Sequence, residues 1–243
     1  MKKMILSIAA SDSSGGAGIH QDQRTAERLG FWCLNACTGI TVQTFNGLCD
    51  ILPAPDDFFE KQLRIMFDNF DISAVKTGAV CSDNQLKIIG KVLAEFKPKI
   101  VVVDPVIAPT QGKSFLSEDS SEIYKSEIFP HTSLLTPNIP ELKQFFGIEY
   151  FNEEKIINVA RKFDLNLYLT GGHSDNEKYI VEYSVFNNKI IKLRFKKKNW
   201  RYSHGTGCAF STAAACFLAS GKSFPEACIK SSKTVSRLFD SLQ

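Results

Sequence analysis

Four consecutive β-branched residues, Ile100-Val101-Val102-Val103, constrain this chain more than any other segment. A strand with one wet face alternates apolar and polar residues, whereas an unbroken β-branched run suits a parallel strand covered on both faces. Parallel neighbours need crossover helices. The flanking sequence supplies them. Met4 to Ala10 reads as a buried strand and Ile19 to Leu29 as a helix. Cys33 to Val42 leans toward strand, and Asp56 or Asp57 is placed to cap a helix carrying Phe58, Phe59, Leu63, Ile65 and Phe67. Strands at Ile72 to Val75, Leu134-Leu135 and Leu167 to Leu169 alternate with helices from Ser82 to Phe96 and from Glu153 to Phe163. Tyr179 to Phe186 and Ile190 to Phe195 flank Asn187-Asn188-Lys189 as a β-hairpin. Helices from Thr206 to Ala219 and Phe224 to Leu242 follow. The expected fold is α/β, one domain over residues 1–243, with a mostly parallel doubly wound sheet and one late antiparallel hairpin.

Composition excludes several function classes. A net charge of +3 is too mild for a nucleic-acid protein, which would show a basic stripe. The basic segment Arg194 to Arg201 reads first as a solvated hairpin edge, with attraction of nucleotide phosphates as a second reading. The seven cysteines are odd in number and form no Cys-x-x-Cys, which favours reduced thiols over disulfides or zinc. The first apolar stretch stops at Ser11-Asp12, short of a signal peptide, and no run approaches ~18 apolar residues. A soluble, cytoplasmic protein without membrane or nucleic-acid partners is expected.

In a doubly wound sheet, ligands bind beyond the carboxyl ends of the strands, so the polar residues just after each strand are the ones to read. His204-Gly205-Thr206-Gly207-Cys208 leads into a helix of small residues. Such a start leaves unpaired N–H groups and about half a positive charge aimed at an anion. Glycines that merely let the helix pack closely are the alternative reading, and Cys208 would then be packing too. The known phosphate loops do not fit. A dinucleotide fingerprint would need glycine at Phe210, a cysteine phosphatase would need arginine at Ala214, and both Gly-Lys-Ser tripeptides lack the first glycine of a Walker loop.

Ser11 to Gly18 forms a small-residue loop with Asp22 one turn beyond, able to accept hydrogen bonds from a ligand or simply to favour a helix start. Asp104 follows the most buried strand, where a carboxylate needs a partner. With Asn138 and Glu141 at another helix start it can hold hydrated Mg²⁺ beside a phosphate chain, although Glu141 alone reads equally as a first-turn acid. The four histidines show no metal spacing.

Taken in order, these segments, together with Val42-Gln43, Lys76-Thr77-Gly78, Asp104-Pro105-Val106 and Gly171-Gly172-His173, resemble the hydroxymethylpyrimidine/phosphomethylpyrimidine kinases of thiamine biosynthesis, over nearly the whole chain. The resemblance implies a three-layer ribokinase-like fold. It also implies ATP- and Mg²⁺-dependent phosphorylation of 4-amino-5-hydroxymethyl-2-methylpyrimidine and then of its monophosphate, in a homodimer. By carry-over, Asp22, Gln43, Val106, Ala10 and Ala79 fall at substrate positions, and Thr170, Gly172, His204 and Asn138 at nucleotide positions. Asp104 and Glu141 would organise Mg²⁺. The amides of Gly205, Thr206, Gly207 and Cys208 would form an anion hole, with the Cys208 thiol beside the reacting hydroxyl as proton acceptor, its pKa depressed by the helix start. Departures from the family pattern include Ala10 for glycine, Ala79 for a bulky methionine, and Thr110 and Thr170 where lysines are usual. They put the second phosphorylation in more doubt than the first and leave pyridoxal kinase, or a catalytically silent pyrimidine-binding protein, as alternatives.

Overall fold

The structure, a computed structural model, describes residues 2–45, 47–107, 115–117, 119–170 and 178–242. Gly172, which the resemblance puts at a nucleotide position, and Thr110, where the family usually has lysine, lie outside them. Nine strands form one sheet in the order β3-β2-β1-β4-β5-β6-β7-β8-β9. The central strands are β1 (Met4–Ser11), β2 (Trp32–Thr44), β4 (Ile72–Thr77), β5 (Val101–Val103), β6 (Leu134–Leu135) and β7 (Asn166–Leu169), and all pair in parallel. The late hairpin, β8 (Tyr179–Phe186) and β9 (Lys189–Lys196), adds antiparallel to β7. Asn187 and Asn188 both take positive φ, 50° and 58°, which suits a two-residue turn whose twist matches the strands.

A second antiparallel edge escapes the sequence reading. β3 (Gly47–Pro53) folds back on β2, with Ile40 opposite Leu52 and Val42 opposite Asp50. Its Asp50 and terminal Pro53 hide it from propensity rules, but an edge strand tolerates both.

Side-chain alternation divides the core into two layers. Leu6, Ile8, Val101 and Val103 pack toward α2 (Asp56–Asn69), α3 (Asp83–Phe96), α5 (Ile139–Phe146) and α6 (Glu153–Phe163). Ile5 and Val102 face the other way, toward α1 (Gly18–Arg28), α7 (Thr206–Ala219) and α8 (Phe224–Asp240). The run at 101–103 is thus covered on both faces, as its composition demands. A short helix, α4 (Ser120–Ile123), continues through a π-turn at Tyr124–Ile128. One expected cap is corrected: Pro55, not Asp56 or Asp57, stands at the N-cap of α2, and no side chain caps it. Its two aspartates still favour the positive end of the helix.

The chain leaves β1 toward β2 and β3 at one edge and then returns to β4 on the other side of β1. That reversal is the switch point where α/β sheets open a crevice for ligands. No helix among the described residues is long and apolar enough to cross a membrane.

Candidate active site

The floor of the crevice is set by a charge the sequence reading left without a role. Lys76, on β4, is wholly buried and its ammonium lies 3.0 and 2.8 Å from the two oxygens of Asp22 on α1. Ser7 donates to Asp22 Oδ2 at 2.6 Å and Thr212 to Oδ1 at 2.8 Å. Burial disfavours the ammonium, but Asp22, with Asp104 beyond it, outweighs it and holds Lys76 above its usual value. Gly78 makes room for this group, because a Cβ there would sit 2.5 Å from Lys76 Nζ. The expectation that Asp22 meets the substrate is therefore corrected. Its carboxylate has no exposed surface and all its bonds go to protein donors.

Above the floor stands Asp104, just past β5 and 7% exposed. Ser211 of α7 donates to its Oδ2 at 3.1 Å. Burial pushes its carboxyl up to about 6, with Lys76 pulling the other way. Glu141 in the first turn of α5 is equally buried, and burial plus the charge of Asp104 push it up to about 8. One oxygen of Glu141 accepts the Asn138 N–H at 2.9 Å, while Asn138 Oδ1 accepts the Glu141 N–H at 2.9 Å. This reciprocal capping box fixes both residues. Asn138 thus holds Glu141 and the helix start through its side-chain oxygen. The Thr77 hydroxyl, at the end of β4, is buried with no partner among the described residues.

Two buried carboxylates, both held above their usual range by burial, form a site short of positive charge. The described residues contain no group of three His, Cys, Asp or Glu side chains able to hold a metal directly. A hydrated Mg²⁺ fits such a pair, because it keeps most of its waters and takes few carboxylates.

The helix start of α7 lies beside Asp104. Gly205 has φ 87°, and a Cβ there would lie 1.9 Å from the Gly16 carbonyl, so only glycine permits the approach. A Cβ on Gly207 would be 3.6 Å from Asp104 Oδ2. The Thr206 N–H is taken by the Ser203 carbonyl at 3.3 Å, which removes it from the expected anion hole. Among the described residues no acceptor takes the N–H of Gly207 or Cys208. Those two remain aimed outward at the positive end of the helix. The Cys208 thiol departs from expectation: burial pushes it up to about 12, Asp22 and Asp104 add to the rise, and Lys76 only opposes it.

Asp12 draws the remaining loops together. Its oxygens accept from the Ser14 N–H at 2.8 Å, the Ala17 N–H at 2.8 Å and His204 at 2.8 Å. Burial alone would raise its pKa, but His204 and Ser14 bring it down to about 2. His204 also lies 3.2 Å from the Gln43 amide. His204 is therefore tied to the β1–α1 loop and β2. The half-buried Val106 and Ala79 flank the strand ends, and Ala79 accepts the Ala10 N–H at 3.0 Å. Ala10 itself is almost fully buried. Thr170 is half-buried, its N–H on the Pro137 carbonyl at 3.2 Å.

An open helix start, a buried carboxylate pair and a polar crevice at a switch point define an α/β phosphotransferase acting on a small molecule. Comparison with known proteins makes this particular. Residues 12–241 match the phosphomethylpyrimidine kinase family, and the chain belongs to that family. It is 32% identical over 238 residues to the thiamine biosynthesis bifunctional protein ThiED of Geobacter sulfurreducens, covering 95% of this chain and 48% of that longer protein. It is 31% identical over 212 residues to the hydroxymethylpyrimidine/phosphomethylpyrimidine kinase of Aquifex aeolicus, covering 86% and 83%. Among solved structures, the phosphomethylpyrimidine kinase of Clostridium difficile superposes with a TM-score of 0.83 at 29% identity, over 98% and 99% of the two chains. The Staphylococcus aureus pyridoxal kinase bound to AMP-PCP gives 0.87 at 28%, over 97% and 87%.

Proposed function

We propose that the chain transfers the γ-phosphoryl group of ATP to 4-amino-5-hydroxymethyl-2-methylpyrimidine, and then phosphorylates the monophosphate, as a cytoplasmic enzyme of thiamine biosynthesis. The observation that carries the reading is the pair of open amides, Gly207 and Cys208, at a helix start beside Asp104 in a crevice that also holds Glu141. Asp104 and Glu141 would hold Mg²⁺, which offsets phosphate charge when bound. Phosphoryl transfer depends mainly on positioning and charge stabilisation. The Gly207 and Cys208 amides receive the negative oxygens. Gln43 and Val106 hold the ring. The neutral Cys208 thiol orients the hydroxymethyl group, whose proton passes late in a loose transfer to an oxygen of the transferred phosphoryl group, so no thiolate is needed beforehand.

The test measures ADP formation with hydroxymethylpyrimidine, its monophosphate and pyridoxal in turn. Turnover of the first supports the reading, and turnover of the second extends it to both steps. Turnover of pyridoxal alone would replace it with the pyridoxal kinase activity that the Staphylococcus structure carries by name and that the small Ala79 would accommodate. Stabilisation by the pyrimidine without any ADP would make the chain a binding protein. The reading includes a homodimer, supported by the exposed Ile40, Val42 and Leu52 on one face of β2–β3, and sedimentation velocity measures it.

A further inference from the structure

A cavity of about 250 Å³ opens on the outer side of the β1–α1 loop, between α1, the end of α8 and the segment leading to α7. None of Cys208, Asp104, Glu141 or Gln43 lines it; of the crevice residues above, it shares His204 and the Ser14–Gly16 loop. Its walls are apolar and aromatic. Leu238, Phe239 and Leu242 come from α8 and its end, and Phe45 and Tyr202 stand with ring centroids 5.5 Å apart. Phe45 and Leu242 are each 51% exposed, an unusual amount of apolar surface to leave around one concavity.

Arg24 and Arg28 complete the lining. Four residues apart on α1, they lie on one helix face and both are exposed. Arg24 donates to the Gly15 carbonyl and, at 3.1 Å, to Gln21 Oε1, both neutral acceptors. Arg28 reaches Ser241 Oγ at 3.5 Å, the limit of a hydrogen bond. No carboxylate among the described residues pairs with either guanidinium.

We propose that this cavity is a second ligand site, for a one- or two-ring aromatic phosphate ester. The apolar and aromatic walls take the ring, and the arginine fork takes the phosphate, for which a planar guanidinium is the best-matched side chain. The volume lies just below the ~300–1,000 Å³ usual for drug-sized ligands, which limits the body to one or two rings. The inference does not depend on which substrate the catalytic crevice takes.

The experiment titrates 1-naphthyl phosphate into the full-length protein and follows its fluorescence, with and without saturating AMP-PCP plus hydroxymethylpyrimidine. Binding should persist with those ligands present, and Arg28→Gln should weaken it about tenfold, the loss of one charge-assisted bond. Arg24→Gln should weaken it similarly, with thermal melting confirming that the loss of the Gly15 contact leaves the fold intact. Displacement by the catalytic-site ligands would overturn the proposal, because the probe would then occupy the crevice. Absence of binding at millimolar probe, or binding unchanged in both arginine variants, would overturn it as well.

Discussion

Replacing Lys76 by methionine isolates the energetic role of the buried pair beneath the crevice. Methionine keeps an unbranched stem of similar volume, so the cavity contribution is small. What is lost is the ammonium at 3.0 and 2.8 Å from Asp22. The Asp22 carboxylate then stays fully buried with two neutral donors, Ser7 and Thr212. Removing one partner of a buried ion pair costs about 3–5 kcal/mol. In a chain of this size each kcal/mol lowers Tm by roughly 2–4 °C, so K76M should melt some ~6–20 °C below the parent. Urea unfolding followed by circular dichroism measures the difference from midpoint and slope. In the double variant K76M/D22N the stranded charge is gone, and stability should recover by about 2 kcal/mol relative to K76M. A K76M protein within ~1 kcal/mol of the parent, or a double variant no more stable than K76M, would refute the reasoning.

Cys208→Ala should lower turnover ~10²–10³-fold while ligand binding, read by thermal shift, is retained; near-normal turnover would make Cys208 a packing residue. Because burial raises the Cys208 thiol, iodoacetamide at neutral pH should label the exposed Cys49 well before Cys208, as peptide mass spectrometry would record. Folded Glu141, raised from 4.5 to about 8, keeps a proton that the unfolded chain releases. Its contribution to ligand-free stability is therefore present below 4.5 and lost as pH rises toward 8. Urea midpoints across that window should fall for the parent and fall less for Glu141→Gln; equal slopes would count against the assignment. Gly205→Ala places a methyl 1.9 Å from the Gly16 carbonyl at φ 87°. A loss of at least ~1–3 kcal/mol is expected, with turnover falling as the helix start moves; a parent-like urea midpoint would refute it.

Much of the architecture was legible because it rests on short-range rules. The Val101–Val103 run could be buried only between two helical layers, and the Asn187-Asn188 turn carried its own hairpin. Once a parallel sheet was in view, the residues after each strand had to gather at one end, which is why Asp104, Glu141, Gln43 and the Gly205–Cys208 turn were found together. The Asn138–Glu141 spacing was legible too, although a capping box and a metal-binding acid look alike in sequence.

What the sequence by itself determined is therefore the fold class, the end of the sheet at which the polar residues gather, and a glycine-bounded helix start. Tertiary structure alone decided which polar groups face a ligand and which face one another. Asp22 looked like a ligand-binding acid until Lys76 and Thr212, 54 and 190 residues away, closed on it. The Cys208 thiol sits at a helix start that should depress its pKa, yet burial beside Asp22 and Asp104 raises it. The reason is common to both. Burial and opposing charge act through space at distances that chain separation does not encode, and each outweighs the local preference that a sequence pattern reports.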